Sequence, residues 1–139
     1  MVISKEKEDV FQSYVKWAGE KEWTVFFTLT FGKRHSLASA HKQLKLLVAA
    51  ISANEQTNPS FYYSLEPHKA GGYHVHGVAN QVNDLIFCRW WWKKHYGKCT
   101  FRPFDKEQQG LQYITKALFN GGEVDMAGPD WKKKTNISA

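Results

Sequence analysis

Two histidines separated by one apolar residue stand in a short apolar segment, His74-Val75-His76. Because side chains alternate between the two faces of a β-strand, residues two positions apart point the same way. Two imidazoles held side by side supply half of the ligands of a typical metal site. Glu66 lies just upstream and offers a carboxylate as a third ligand. Three protein ligands leave positions for substrate or water, which is the arrangement of a catalytic metal ion.

The sequence leaves two candidates for the third metal ligand. His68 competes with Glu66 for it, although His68 lies in a loop beside two glycines, whereas Glu66 belongs to the preceding strand. An isolated His-x-His pair is itself more often an ordinary surface feature than a metal site. The ion that we expect is Mn²⁺ or Mg²⁺, and the same donors also suit Zn²⁺.

A tyrosine stands on the polar side of a predicted helix. The apolar stripe of this helix contains Leu111, Ile114 and Leu118, and the opposite side carries Tyr113 and Lys116. A phenol titrates near pH 10, so its attack at neutral pH needs help from a cation. We predict that Tyr113 is a nucleophile and that Lys116 assists it by its charge. The competing interpretation is a half-exposed tyrosine beside a solvated lysine.

The elements that must position these residues follow from the apolar periodicity. In order, the pattern predicts helix 5–18, strand 23–31, helix 36–53, strands 61–66 and 73–79, helix 83–96, strand 99–104 and helix 107–119. This order indicates an α+β fold, a ferredoxin-like or RRM-like sandwich with a central antiparallel sheet, helices mainly on one face and an open active-site face. Strand parity assigns these residues to the open face: Thr28, Thr30, Ser64, Glu66, His74 and His76.

Length and charge restrict the classes of protein that fit. The 139 residues predict one domain over 1–139, and the net charge of +6 suits a polyanionic partner such as nucleic acid. The two cysteines, Cys88 and Cys99, are too few for a disulfide framework, which favours the cytoplasm. No apolar run reaches the length of a membrane span, so we expect no membrane association.

Cations and aromatic side chains at three places are candidates for contact with DNA. They are Lys33, Arg34, Trp90, Lys93, Lys94 and Arg102. Interleaved tryptophans and lysines can stack unpaired bases and follow phosphates, although an aromatic stripe on a helix more often serves packing. Trp92 shares the stripe of Leu85 and Cys88 and is expected in the core.

With these motifs in view, the chain resembles the HUH endonucleases, and among them the single-tyrosine replication initiators (Rep) of rolling-circle plasmids and viruses. The resemblance covers residues 23–119 and consists of three motifs in the family's order. They are the apolar strand Phe26–Phe31, the pair His74-Val75-His76 preceded by Glu66, and the helix with Tyr113-Ile114-Thr115-Lys116. The chain departs from two-tyrosine relatives because Ala117 stands one turn beyond Tyr113.

The resemblance implies a site-specific endonuclease and strand transferase. Such an enzyme cuts single-stranded or hairpin origin DNA, forms a 5′-phosphotyrosine link and leaves a free 3′-hydroxyl that primes synthesis, with Mn²⁺ or Mg²⁺ as the usual ion. Further expected partners are a host helicase or polymerase, and the expected state is a monomer or weak dimer in the cytoplasm of a prokaryotic cell or viral host.

Two other functions compete with this interpretation. One is a single-tyrosine HUH transposase of an insertion sequence, but those relatives usually carry a glutamine where this chain has Lys116. The other is a non-catalytic nucleic-acid-binding module that uses the same open sheet face.

Overall fold

A five-stranded antiparallel sheet lies at the centre of the protein, and four of its strands are those that the sequence pattern predicts. In this computed structural model the elements are α1 (Lys5–Gly19), β1 (Val25–Thr30), α2 (Leu37–Glu55), β2 (Ser60–Pro67), β3 (Tyr73–Asn80), α3 (Leu85–His95), β4 (Cys99–Pro103), α4 (Gly110–Thr115), a 3₁₀ turn (Lys116–Phe119) and β5 (Glu123–Ala127). The structure describes residues 5–31, 35–67, 72–106 and 110–128. The strand order is β4-β1-β3-β2-β5, which confirms the α+β sandwich.

The main core lies on one face of the sheet. Alternate residues of β1, beginning at Val25, are buried there, and the alternation continues through Phe27 and Leu29. The helices α2 and α3 pack on this face, with Leu44 and Trp92 among their fully buried side chains. None of the helices in the described part of the chain is both long and apolar enough to cross a membrane.

The second face of the sheet is covered only in part. A smaller apolar cluster there joins α1 and α4 to the sheet through residues that include Trp17, Tyr62, Val78 and Ile114. Trp23 also belongs to this cluster, although an unbroken strand over 23–31 predicts it on the face of Val25. The prediction is wrong at this residue because β1 begins only at Val25, and strand parity does not extend beyond the strand.

The fifth strand, β5, is missing from the sequence prediction. It is short, and it alternates acidic with apolar residues along its length. His41 of α2 connects β5 to the main-core face. Its Nε2 pairs with Glu123, and its Nδ1 lies 2.8 Å from the hydroxyl of Tyr63 and 3.3 Å from Asp125 Oδ2. A carboxylate-bearing strand is therefore secured at the sheet edge by a histidine that lies far away in the sequence.

The register of β3 depends on close contact between a glycine and a phenylalanine. Gly77 lies opposite Phe27, and a Cβ at Gly77 would stand 2.2 Å from the tip of the Phe27 ring. Phe27 is fully buried and packs against Phe61 and Phe101 on the neighbouring strands. Only glycine leaves space for this ring across β3, so the pairing holds the two histidines that precede it in their register.

We therefore expect Gly77→Ala to lower the free energy of unfolding by about 2 kcal/mol, because the Phe27 ring must leave its packed position. Urea denaturation followed by circular dichroism measures the change. Gly19→Ala is the matched control, since a Cβ there meets nothing within 4 Å, and it should change stability by less than about 0.5 kcal/mol. Equal stability of the two variants would contradict the account of the Gly77–Phe27 contact.

Candidate active site

Two rows of polar side chains cross the incompletely covered face of the sheet. The first row contains Thr30, His74 and Glu66 at paired positions of three strands. The second row contains Thr100, Thr28, His76 and Ser64. Glu66 lies on the face that strand parity predicts, and the register places it directly across the hairpin from His74. His68, the competing third ligand, lies outside the described residues.

Threonines of β1 hold both imidazoles. Thr28 Oγ1 lies 3.3 Å from Nδ1 of His76, and Thr30 Oγ1 lies 3.3 Å from Nδ1 of His74. The two rings are nearly parallel, with centroids 6.4 Å apart. Histidines that bind metals are commonly oriented by a partner at the other ring nitrogen, so any ion here would be bound through Nε2. The sequence signal for these threonines is their parity in β1, and only the register reveals which histidine each one contacts.

The environment of His76 favours its neutral form. Burial lowers the pKa of His76 below its ordinary value, and the charge of a protonated His74 lowers it further. A histidine with a lowered pKa stays unprotonated at neutral pH, which is the form that binds metal ions.

The donors of this face fit a divalent ion in type and in register. Glu66 is paired with His74 across the hairpin, and His76 lies two residues further along β3 on the same face. The Glu66 side chain is partly buried, and its Cγ runs beside Gly122. Within the described ranges, however, no three His, Cys, Asp or Glu side chains are grouped closely enough to hold a metal ion. The side chains would have to rotate toward one another to share an ion.

Tyr113 of α4 meets the histidine pair. Its ring stands edge-on to the ring of His76, with centroids 5.0 Å apart and planes at 89°. The tyrosine is 52% exposed, whereas Ile114 beside it is fully buried. The predicted polarity of this helix, with its tyrosine away from the packed side, is confirmed. The structure thus brings a phenol and an imidazole from distant segments into contact.

A buried hydrogen-bond chain anchors the helix that carries Tyr113. Tyr62 lies on β2, and its hydroxyl is 2.6 Å from Thr115 Oγ1, whose own hydroxyl donates to the carbonyl of Leu111 at 2.7 Å. Tyr62 is therefore the donor in the first bond, and burial raises its pKa. Gly110 lets the start of α4 approach β1, since a Cβ there would lie 3.0 Å from the Phe26 ring.

The predicted helix over 107–119 is wrong in its second half. The α-helix ends at Thr115, and residues 116–119 form a 3₁₀ turn, in which hydrogen bonds span three residues instead of four. Lys116 is exposed at the first position of this turn. The position one turn beyond Tyr113 offers no second nucleophile, because Ala117 has no reactive group and is fully buried.

A cleft of about 530 Å³ extends from His76 toward the β4 edge of the sheet. It is lined by Phe26, Thr28, His76, Arg102, Pro103, Asp105, Gly110 and Tyr113. The guanidinium of Arg102 lies over the Phe26 ring, 5.0 Å from its centroid. Among the described residues predicted to contact DNA, Arg102 is the one that lines this cleft.

Three further candidates for DNA contact lie on α3. Trp90 and Lys94 form a cation–π pair at 4.9 Å on α3, and Lys93 beside them is exposed. The predicted burial of Trp92 is confirmed, and because α3 packs through it on the main-core face, these three lie on the side of the sheet opposite the cleft. Lys33 and Arg34 fall outside the described residues.

Thr115→Val should lower the free energy of unfolding by about 1–3 kcal/mol, because it leaves the buried Tyr62 hydroxyl without its acceptor. The double variant Tyr62→Phe/Thr115→Val should lose less than Thr115→Val alone, since it removes both polar groups. Thermal and urea unfolding of the two variants measure the difference, with the exposed Thr100→Val as the control. A double variant at least as unstable as the single one would show that the hydrogen bond does not anchor α4.

No protein-family model, curated protein or solved structure matches this chain. The inference of function therefore rests on the sequence motifs and on the geometry of the cleft that contains Tyr113 and His76.

Proposed function

We propose that the protein is a metal-dependent endonuclease and strand transferase that nicks and rejoins single-stranded DNA through Tyr113, as an initiator of rolling-circle replication. The observation that carries the proposal is the contact between the rings of Tyr113 and His76, with centroids 5.0 Å apart, at one end of the cleft. A tyrosine that served packing alone would lie with Ile114 on the buried side of α4.

The proposed reaction exchanges one phosphodiester for another. The Tyr113 Oη forms a bond to the scissile phosphorus while the bond from phosphorus to the 3′-oxygen breaks. The phenolic proton passes to solvent, and the departing 3′-oxygen takes a proton from water. Because the number and type of phosphodiester bonds are unchanged, a 3′-hydroxyl can attack the 5′-phosphotyrosine and rejoin the strand without a separate energy source.

Glu66, His74 and His76 are the residues proposed to hold a divalent ion. When bound, such an ion neutralises charge on the phosphate and makes the phosphorus easier to attack. Two imidazoles suit Mn²⁺ better than Mg²⁺, which prefers oxygen ligands, and they also suit Zn²⁺. Lys116 is the cation proposed to assist the attack of Tyr113 by its charge.

The charge of the whole chain supports a nucleic-acid substrate. The excess of 19 Lys and Arg over 13 Asp and Glu attracts a polyanion over distances of about 10 Å at moderate salt. The proposed substrate is origin DNA, and the proposed partner is a host helicase or polymerase. The proposed oligomeric state is a monomer or weak dimer. The free thiols of Cys88 and Cys99 support action in the reducing cytoplasm. An insertion-sequence transposase is the alternative within this proposal. Lys116 disfavours it, because such enzymes usually carry a glutamine at that position.

A second candidate function is non-catalytic binding of single-stranded nucleic acid. It is favoured by one observation, that the described side chains do not group three metal ligands. In that function Tyr113 and Phe26 would act only as surfaces for stacking, and chelation of divalent ions would leave binding unchanged.

Tyr113→Phe should abolish the covalent adduct while DNA binding remains, because only the attacking oxygen is lost. The substrate is a random-sequence single-stranded DNA pool with Mn²⁺, labelled at either end and resolved on a denaturing gel. Wild-type protein should carry the 3′-terminal label, and the 5′-terminal label should appear in free fragments. Tyr73→Phe, on the opposite strand face of β3, should keep full activity. An adduct that persists in Tyr113→Phe would refute the assignment.

Mn²⁺ binding should be lost to background in His76→Gln and weakened by about tenfold or more in Thr28→Val, because Thr28 orients the ligand. The electron paramagnetic resonance signal of free Mn²⁺ measures this without reference to activity. Thr100→Val, exposed on the neighbouring strand, should bind as the wild type does. Wild-type protein that binds Mn²⁺ no better than His76→Gln would favour the second candidate function.

A further inference from the structure

The cleft has a second end that the proposed chemistry does not use. Tyr113, His76 and Thr28 line the reacting end, whereas Arg102, Pro103 and Asp105 line the end toward the β4 edge, with Phe26 as part of the wall. A volume of about 530 Å³ lies within the usual range of small-ligand pockets, about 300–1,000 Å³. The cleft therefore has space for a nucleotide beside the phosphate at Tyr113.

The guanidinium of Arg102 is oriented before any ligand arrives. It lies 5.0 Å above the centroid of the Phe26 ring, and Arg102 and Phe26 are paired across β4 and β1. Stacking on an aromatic face limits the freedom of the arginine and keeps its planar fork of donors at the cleft that both residues line.

Asp105 places a negative charge at this end of the cleft, which makes it unlike a phosphate-binding site. Its carboxylate accepts hydrogen bonds and repels anions, so the end with Asp105 suits a base better than a second phosphate. A ligand edge that satisfies both Arg102 and Asp105 must present acceptors toward the first and donors toward the second.

We propose that this end of the cleft binds the nucleobase next to the scissile phosphate and prefers guanine. Guanine places two acceptors, O6 and N7, beside two donors, N1–H and the N2 amino group. Arg102 would donate to the acceptors as a bidentate pair, and Asp105 would accept from the donors. Adenine presents an amino group where guanine has O6, thymine has one donor between two carbonyls, and cytosine offers a single amino donor. The inference rests on the proposed function, since it names a base of the same substrate.

Sequencing of the adducts formed from the random single-stranded pool with Mn²⁺ tests the preference. For the wild type we expect guanine enriched at one position adjoining the break. Arg102→Gln and Asp105→Asn should each reduce that enrichment by about tenfold while preferences at other positions persist. Lys42→Gln removes a charge from the exposed side of α2, behind the sheet, and should leave the enrichment intact.

A binding measurement keeps the test decisive if Arg102→Gln yields too little adduct to sequence. Tyr113→Phe protein is titrated with a selected strand and with the same strand carrying adenine at the enriched position. We expect the Tyr113→Phe protein to bind the adenine strand about tenfold more weakly than the selected strand. The double variant Tyr113→Phe/Arg102→Gln should bind the two strands with nearly equal affinity. Wild-type adducts with no adjoining guanine preference, or a preference that survives in Arg102→Gln, would overturn the inference. Failure of the wild type to form any adduct would instead overturn the proposed function.

Discussion

The register of β3 between β1 and β2 is the constraint on which the rest of the site depends. A shift of one residue would turn His74 and His76 into the apolar core and Val75 outward, with a large cost for burying imidazoles. Phe27 enforces the register because its ring lies across β3 only where Gly77 leaves the space. The same register aligns each histidine with a threonine and sets Glu66 opposite His74. A packing contact in the core therefore determines which polar groups meet on the other face.

The position of Tyr113 depends on a different set of contacts. The helix α4 is only six residues long, too short to be stable by itself, so its place is determined by what it packs against. The hydroxyl of Tyr62 bonds to Thr115 in the buried interface, and the bare Cα of Gly110 lies against Phe26. Tyr62 and Phe26 belong to the same sheet face as the histidines. The same sheet face therefore positions both the phenol and the imidazoles. Groups that react together must be held at fixed positions in this way.

Much of the fold follows from local patterns in the sequence, and the failures have physical causes. The start of α2 follows from a local signal, because Ser36 is a favoured N-cap residue and its hydroxyl accepts from the amide of Ser39 at 3.1 Å. The common face of Glu66 and His74 follows from strand parity, and the register pairs them directly. In contrast, the alternation in β5 is only five residues long, too short to predict a strand by itself, and pairing with β2 and the contact with His41 hold β5 in place. The change from α-helix to 3₁₀ turn at Lys116, and the distance from the cleft to Trp90, depend on tertiary packing that no local pattern encodes.

The composition of the second sheet face explains why a cleft exists there at all. Where that face carries Tyr62 and Val78, it is apolar, and Trp17 of α1 packs closely over it. One row further along the strands the same face carries threonine and histidine, whose hydrogen-bonding groups would lose water under a helix without gaining enough partners. Trp17 of α1 packs over the apolar part of this face, and Tyr113 contacts His76 in the neighbouring polar row. The residues proposed to hold the ion are thus also the ones that keep this part of the face open, where the proposed DNA strand would lie.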